Sequence, residues 1–161
     1  MVSALVIASR FIKLGIESDR PVTPMKLQKL IYMAHGIHLA RLDKPLIVEK
    51  IEAWSYGPVI KSVYDMFKSW GNQSINEYPD IEFRIGRFSK SNLDVLTDEI
   101  EDTINFAWKI GKNLSGTDLS TWSHAKDSPW ERSYSRLSNK PIPDYLIKEY
   151  FRDTMRIRPE A

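Results

Sequence analysis

The stretch from Thr23 to Leu42 constrains the fold most, because it predicts a helix that is apolar on more than one side. Thr23 is a favourable helix cap, and Pro24 suits the first helical position, where its missing N–H would have no partner. Apolar residues then recur at helical spacing and also cover other faces: Leu27, Leu30, Ile31, Ala34 and Ile37, then Tyr32, Met33 and Leu39. Such a helix is expected at the centre of a helical domain.

Shorter elements are predicted on both sides of this central helix. Helices are expected over about 3–17, from the Gly57-Pro58 pair onwards, after the cap Thr97, over about 117–124, from Ser128 onwards and from Asp144 onwards. Alternating residues favour short strands within 46–56 and 81–88, and residues 139–143 are expected to be a linker. The sequence therefore predicts one mainly α (α+β) domain over residues 1–161, a helical bundle around a central buried helix with a small antiparallel β element.

Composition excludes several classes of protein. The 161 residues are 42% hydrophobic and 27% charged, which is typical of a globular domain rather than a disordered chain. The net charge of +2 comes without a block of like charge, so nucleic-acid binding is not indicated. The chain has no cysteine, which rules out disulfides and thiolate metal sites. No stretch is long and apolar enough to span a membrane, and a cytoplasmic protein is expected.

Two groups of residues carry possible chemistry. His35 and His38 lie three apart on the central helix, a spacing that suits two metal ligands, but no third ligand follows at a recognisable spacing. His124, Asp127 and Ser128 are the residue types of a hydrolytic triad, yet they lack a nucleophile elbow. Ser128 is better explained as a helix cap in front of Pro129. We therefore predict no catalytic, metal or cofactor site.

Aromatic side chains are concentrated near the turns. We expect Trp54 and Trp130 to be buried and to anchor the turns in which they lie. For Tyr56 and Trp122 the sequence leaves two alternatives, packing in the core and contact with a partner.

Three segments, 23–32, 53–59 and 123–130, each join a helix-start signal to large aromatic side chains, and within them lie the residues that together resemble a known family. They are Pro24-Met25-Lys26-Leu27-Gln28-Lys29-Leu30, Tyr56-Gly57-Pro58-Val59 and Ser128-Pro129-Trp130, preceded by His124 in the last case. Lys44-Pro45-Leu46 and Ile142-Pro143-Asp144 fit the same order. The chain thereby resembles the Panacea (SocA-like) antitoxin domain, which is often found in phage-associated proteins.

The resemblance implies a function rather than a chemistry. Members of that family resemble antitoxins of type II toxin–antitoxin pairs that neutralise a cognate protein toxin by direct binding. One alternative is an adaptor that delivers the toxin to a AAA+ protease. A less favoured one is an enzyme, either a hydrolase using His124 or a metal-dependent enzyme with its metal at His35 and His38. A separate DNA-binding domain is not expected. The resemblance implies no catalytic residues.

Contact with a toxin is expected to involve residues of about 69–90, between the second and third motifs, because loops and strand edges tolerate variation on a fixed scaffold. The expected contact residues are Trp70, Tyr78, Phe83 and Phe88, together with Tyr56 and Trp122. For Phe83 and Phe88, packing of a strand against the core is the alternative.

Overall fold

A computed structural model of the chain describes residues 1–79 and 96–161. Seven α-helices lie in these ranges: α1 (Ala4–Glu17), α2 (Pro24–Leu42), α3 (Lys61–Phe67), α4 (Asp98–Gly111), α5 (Gly116–Ser123), α6 (Pro129–Ser133) and α7 (Asp144–Asp153). A 3₁₀ turn over Lys68–Trp70 follows α3. The described strands are β1 (Glu52–Trp54), β2 (Gly57–Val59) and β3 (Lys140–Pro141). The predicted fold class, mainly α with a small antiparallel sheet, is confirmed.

Helix α2 is the centre of the molecule, as its apolar pattern predicts. Every residue from Lys26 through Ala40 is buried. Helices α1, α3, α4, α5 and α7 all pack against it. Its start is also confirmed: the Thr23 hydroxyl accepts a hydrogen bond from the backbone N–H of Lys26 at 3.2 Å, and Pro24 occupies the first turn. Asp43 ends the helix in the left-handed conformation, with φ of 57°.

The sheet is small and antiparallel, in the order β2-β1-β3. In the hairpin, Glu52 lies opposite Val59 and Trp54 lies opposite Gly57. On the other edge of β1, Glu52 lies opposite Pro141. The hairpin packs against α2 through β2, so the tip of its turn is fixed relative to the central helix.

Three predictions about local structure are wrong. The helix predicted from Gly57-Pro58 begins only at Lys61, because Gly57 has φ of +108° and residues 57–59 pair with β1. Residues 139–143 are not only a linker, since residues 140–141 pair with β1 as β3. The apolar spacing of the helix after Thr97 predicts that Leu114 faces inward with Ile104 and Ala107, but α4 ends at Gly111 and Leu114 is 38% exposed.

Two other predictions concern 46–56 and 81–88. Only residues 52–54 of the first segment form a strand, and Ile47 makes an isolated parallel bridge with Val2. The strand predicted over 81–88 lies outside the described residues. Within residues 1–79 and 96–161, no helix combines the length and apolar character needed to cross a membrane.

Candidate protein-interaction site

The start of α2 holds the β1–β2 hairpin through two buried polar side chains. Gln28 uses both ends of its amide on one residue: its oxygen accepts from the Ile60 N–H at 2.9 Å and its nitrogen donates to the Ile60 carbonyl at 3.1 Å. Lys29 Nζ donates to the Pro58 carbonyl at 3.2 Å. Both side chains are buried, with Gln28 only 5% and Lys29 only 1% exposed. The first motif therefore supplies hydrogen bonds to the backbone of the second.

The third motif holds the same hairpin through its turn. Trp130 Nε1 donates to the Trp54 carbonyl at 2.6 Å, and His124 Nε2 donates to the Ser55 carbonyl at 3.1 Å. The Trp130 ring packs between the rings of His124 and Tyr134, with centroid distances of 3.8 and 4.7 Å. The Tyr134 ring is stacked on the indole at 21° and the His124 ring is tilted at 47°, and these contacts fix the indole in the position that reaches the turn.

Gly57 lets these elements approach each other closely. Its φ of +108° is rarely adopted by residues with a side chain. A Cβ there would lie 2.7 Å from Ser123 Oγ and 2.8 Å from Lys29 Cε. Ser120 adds a further hydrogen bond, from its hydroxyl to the Tyr56 carbonyl at 3.1 Å. Glycine is therefore required here both by the backbone conformation and by the lack of space.

We call residues 54–57 the clamped turn, because each of their first three carbonyls accepts a hydrogen bond from α5, from His124 directly after it, or from the start of α6. The clamped turn displays Tyr56, which is 73% exposed. The partly buried ring of Trp54 lies beside that of Tyr64, with centroids 4.9 Å apart. An exposed aromatic side chain on a fixed backbone loses little further freedom on binding, which favours its use as an anchor.

A cavity of about 590 Å³ lies beside the clamped turn. It is bounded by the first turns of α2, by α3 and by the hairpin. Its lining includes Met25, Lys29, Trp54, Tyr56, Tyr64 and Lys68. Among the described lining residues, two are lysines and none is an aspartate or glutamate. The cavity thus combines an apolar and aromatic rim with positive charge.

Lys29 is the unexpected member of this site. Burial lowers the pKa of its ammonium group from 10.5 to about 8, so the group is still largely charged at neutral pH. Sequence reasoning identified Lys29 as part of a motif but did not predict a buried cation. The sequence does contain a signal for a buried lysine, because Lys29 directly precedes Leu30 in a helix that is apolar on nearly all of its faces.

The residues of the suspected triad are engaged separately. Both ring nitrogens of His124 face main-chain carbonyls, with Nε2 3.1 Å from the Ser55 oxygen and Nδ1 2.6 Å from the Ser120 oxygen. Ser128 is buried, and its hydroxyl accepts from the backbone of Glu131 at 3.2 Å as a helix cap. The arrangement supports the structure of the turn rather than a nucleophile and base.

The two histidines of α2 are also committed to internal contacts. His35 Nε2 lies 2.9 Å from the Asp144 carboxylate, and its Nδ1 accepts from the Leu46 N–H at 3.3 Å. His38 Nδ1 lies 2.9 Å from the Thr103 hydroxyl, and burial lowers the pKa of His38 to about 4. Within the described part of the chain, no group of three or more histidine, aspartate or glutamate side chains is arranged to hold a metal.

The remaining predicted contact residues occupy different environments. Tyr78 is 59% exposed. Trp70 and Trp122 are partly buried and pack against the core, and Trp122 donates to the sulfur of Met155 at 3.4 Å. Phe83 and Phe88 lie outside the described residues. Tyr64, which sequence reasoning did not select, is instead placed on the rim of the cavity.

Comparisons with known proteins identify the family of the chain. The family model described as antitoxin SocA-like, Panacea domain, matches residues 27–131, more than half of the chain. That range contains Gln28 and Lys29, the clamped turn and Trp130. Antitoxin SocA of Caulobacter vibrioides (strain NA1000 / CB15N) is 29% identical over 165 residues, covering 94% of this chain and 83% of that protein. No solved structure matches the chain. The chain belongs to the SocA-like antitoxin family that carries the Panacea domain.

Proposed function

We propose that this protein neutralises a cognate toxin by binding it directly, through the surface formed by the clamped turn and the adjoining cavity. The observation that carries the proposal is the presentation of Tyr56. Its side chain is 73% exposed, while the backbone around it is held by Trp130, His124 and Ser120. Three hydrogen bonds to the carbonyls of one turn hold its backbone while Tyr56 stays exposed, and this favours a recognition surface.

The cavity supports the same surface. Protein interfaces concentrate their binding energy in a few aromatic, methionine or arginine residues near the centre of the buried patch. Tyr56, Trp54, Tyr64 and Met25 surround the opening, and Met25 and Tyr64 are themselves 36% and 42% exposed. A stable complex of standard size buries about 800 Å² on each partner, and we place this group at its centre.

Family membership supports a protein toxin as the partner. The matched relative bears the name of an antitoxin, and an antitoxin acts on a toxin. We extend this to a non-catalytic mechanism: the protein covers its partner rather than transforming a substrate. The engagement of both His124 nitrogens by carbonyl oxygens supports this view, because the ring is committed to holding the clamped turn.

Co-expression tests the proposal. We expect a small open reading frame beside the gene to stop growth when it is expressed alone. Co-expression with this chain should restore growth. A tagged form of this chain should then retain the toxin through purification. A neighbouring toxin that is neither bound nor counteracted would contradict the proposal.

The toxin's half-life in the rescued cells separates neutralisation from delivery to a protease. Direct neutralisation predicts a toxin that persists in the complex. A toxin that is rapidly lost only in the presence of this chain would favour the adaptor alternative instead.

A further inference from the structure

The cavity beside the clamped turn contains a buried cation without a described counter-ion. Lys29 is 1% exposed, and its hydrogen bond is to the Pro58 carbonyl at 3.2 Å. In the two described ranges, no carboxylate lies within salt-bridge distance of Lys29, whereas the exposed Lys68 has Asp65 at 3.6 Å. An ammonium group has three N–H donors, so one neutral acceptor satisfies it only in part.

Burial of an unpaired charge is costly, and the pKa of Lys29 reflects that cost. Burial is the cause of its fall from 10.5 to about 8. A carboxylate brought next to the ammonium would reverse this penalty, and charge-assisted hydrogen bonds are about twice as strong as neutral ones. An anionic hydrogen-bond acceptor would therefore best satisfy the ammonium group of Lys29.

Two further features of the cavity favour an anion. The first turn of α2, including Pro24 and Met25, lines it, and the start of a helix carries a partial positive charge. The described lining also includes Lys68 and no acidic residue. The rim, in contrast, is aromatic, which suits an apolar neighbour of the anionic group rather than a free ion.

We propose that the cavity receives the side-chain carboxylate of a glutamate or aspartate of the partner protein, with Lys29 as its cation and the Trp54–Tyr64 pair as the contact for an adjacent apolar group. This deepens the proposed function and rests on it for the identity of the ligand as a protein. A side chain is the fitting source, because it can reach a buried ammonium while the partner's main chain stays at the rim beside Tyr56.

A matched pair of small probes tests this inference without the partner. The probes are 4-phenylbutyrate and 4-phenylbutyramide, which share the ring and the linker and differ in the charge of the terminal group. Binding is followed by NMR on the indole N–H of Trp54, which lines the cavity. The acid should shift this signal saturably at millimolar concentrations, and the amide should bind roughly tenfold more weakly or worse.

Two variants assign the selectivity to its cation. Lys29→Met keeps most of the length of the side chain and removes the charge, so it should reduce the affinity for the acid to that for the amide. Lys68→Met, on the rim, should retain most of the selectivity. If Lys29→Met does not fold, the relative affinities of the unmodified protein for the acid and the amide still test the inference. Equal binding of the two probes, or no binding of either, would overturn the inference.

The outcome is separable from that of the proposed function. If the two probes bind equally but the toxin co-purifies, only the proposed recognition of a carboxylate is contradicted. If the protein binds the acid selectively but binds no toxin, only the proposal that its partner is a toxin is contradicted.

Discussion

Replacing Gln28 by methionine should destabilise the protein by about 2–4 kcal/mol, because each of the two hydrogen bonds is worth about 1 kcal/mol and the groups left behind are buried. The side chain donates to the Ile60 carbonyl and accepts from its N–H. Methionine has a similar length and no comparable donor or acceptor, and Ile60 is fully buried, so water cannot replace the lost partners. The cost is therefore set by the lost hydrogen bonds, and above all by the Ile60 N–H, which loses its acceptor, because the Ile60 carbonyl still accepts from the Tyr64 N–H at 3.0 Å.

Urea unfolding followed by tryptophan fluorescence measures the free energy of unfolding for this variant. The matched control is Gln73→Met, at an exposed position, which should change the stability by no more than about 0.5 kcal/mol. A loss below about 1 kcal/mol for Gln28→Met would refute the reasoning, since it would mean that the amide does not carry the join between α2 and the hairpin.

Three further predictions concern the clamped turn and the core. Trp130→Phe should cost about 1 kcal/mol by loss of the hydrogen bond to the Trp54 carbonyl, and Trp130→Ala about 3 kcal/mol, as measured by thermal and urea unfolding; an unchanged stability of Trp130→Ala would contradict its packing role. Gly57→Ala should be clearly less stable than Gly71→Ala, because both positions have positive φ but only Gly57 has neighbours within 4 Å of an added Cβ; equal losses would show that contact is unimportant. For His38, the folded-state pKa of about 4 lies below the ordinary 6.5, so the unfolded state binds the proton more readily and stability should fall as the pH drops below about 6.5, by up to roughly 3 kcal/mol near pH 4. A pH titration of unfolding in which His38→Gln shows the same loss over that range would contradict this assignment.

Sequence reasoning recovers those parts of the fold that are encoded locally. The apolar pattern of α2 and its Thr23-Pro24 start predict a central buried helix, and the structure has it. The helix after Thr97 is found for the same reason, since the cap and the acidic first turn are properties of consecutive residues. The hairpin was missed because Gly57-Pro58 is compatible with both a helix start and a strand. The choice depends on pairing with residues 52–54, which is a contact across the fold.

The candidate site shows the same division. The three motifs were identified from sequence, but their joint purpose was not, because the bonds that unite them link residues far apart in the chain. Trp130 reaches the Trp54 carbonyl across 76 positions, and Lys29 reaches Pro58 across 29. Single-residue patterns favoured burial for Trp54 and offered no way to place Tyr64 beside it. Only the fold reveals that these segments enclose one turn and one cavity.

The most direct test of the central claim is the affinity of the purified toxin for a variant in which Tyr56 is replaced by alanine. Tyr56 is 73% exposed, so its removal should leave the free energy of unfolding unchanged while weakening binding by roughly 30-fold or more, as expected for an aromatic anchor. Tyr145→Ala is the matched control, since Tyr145 is 59% exposed and lies on α7. Titration calorimetry should show near-normal affinity for that control. Equal affinities of the Tyr56 and Tyr145 variants for the toxin would contradict the claim that the clamped turn is the binding surface.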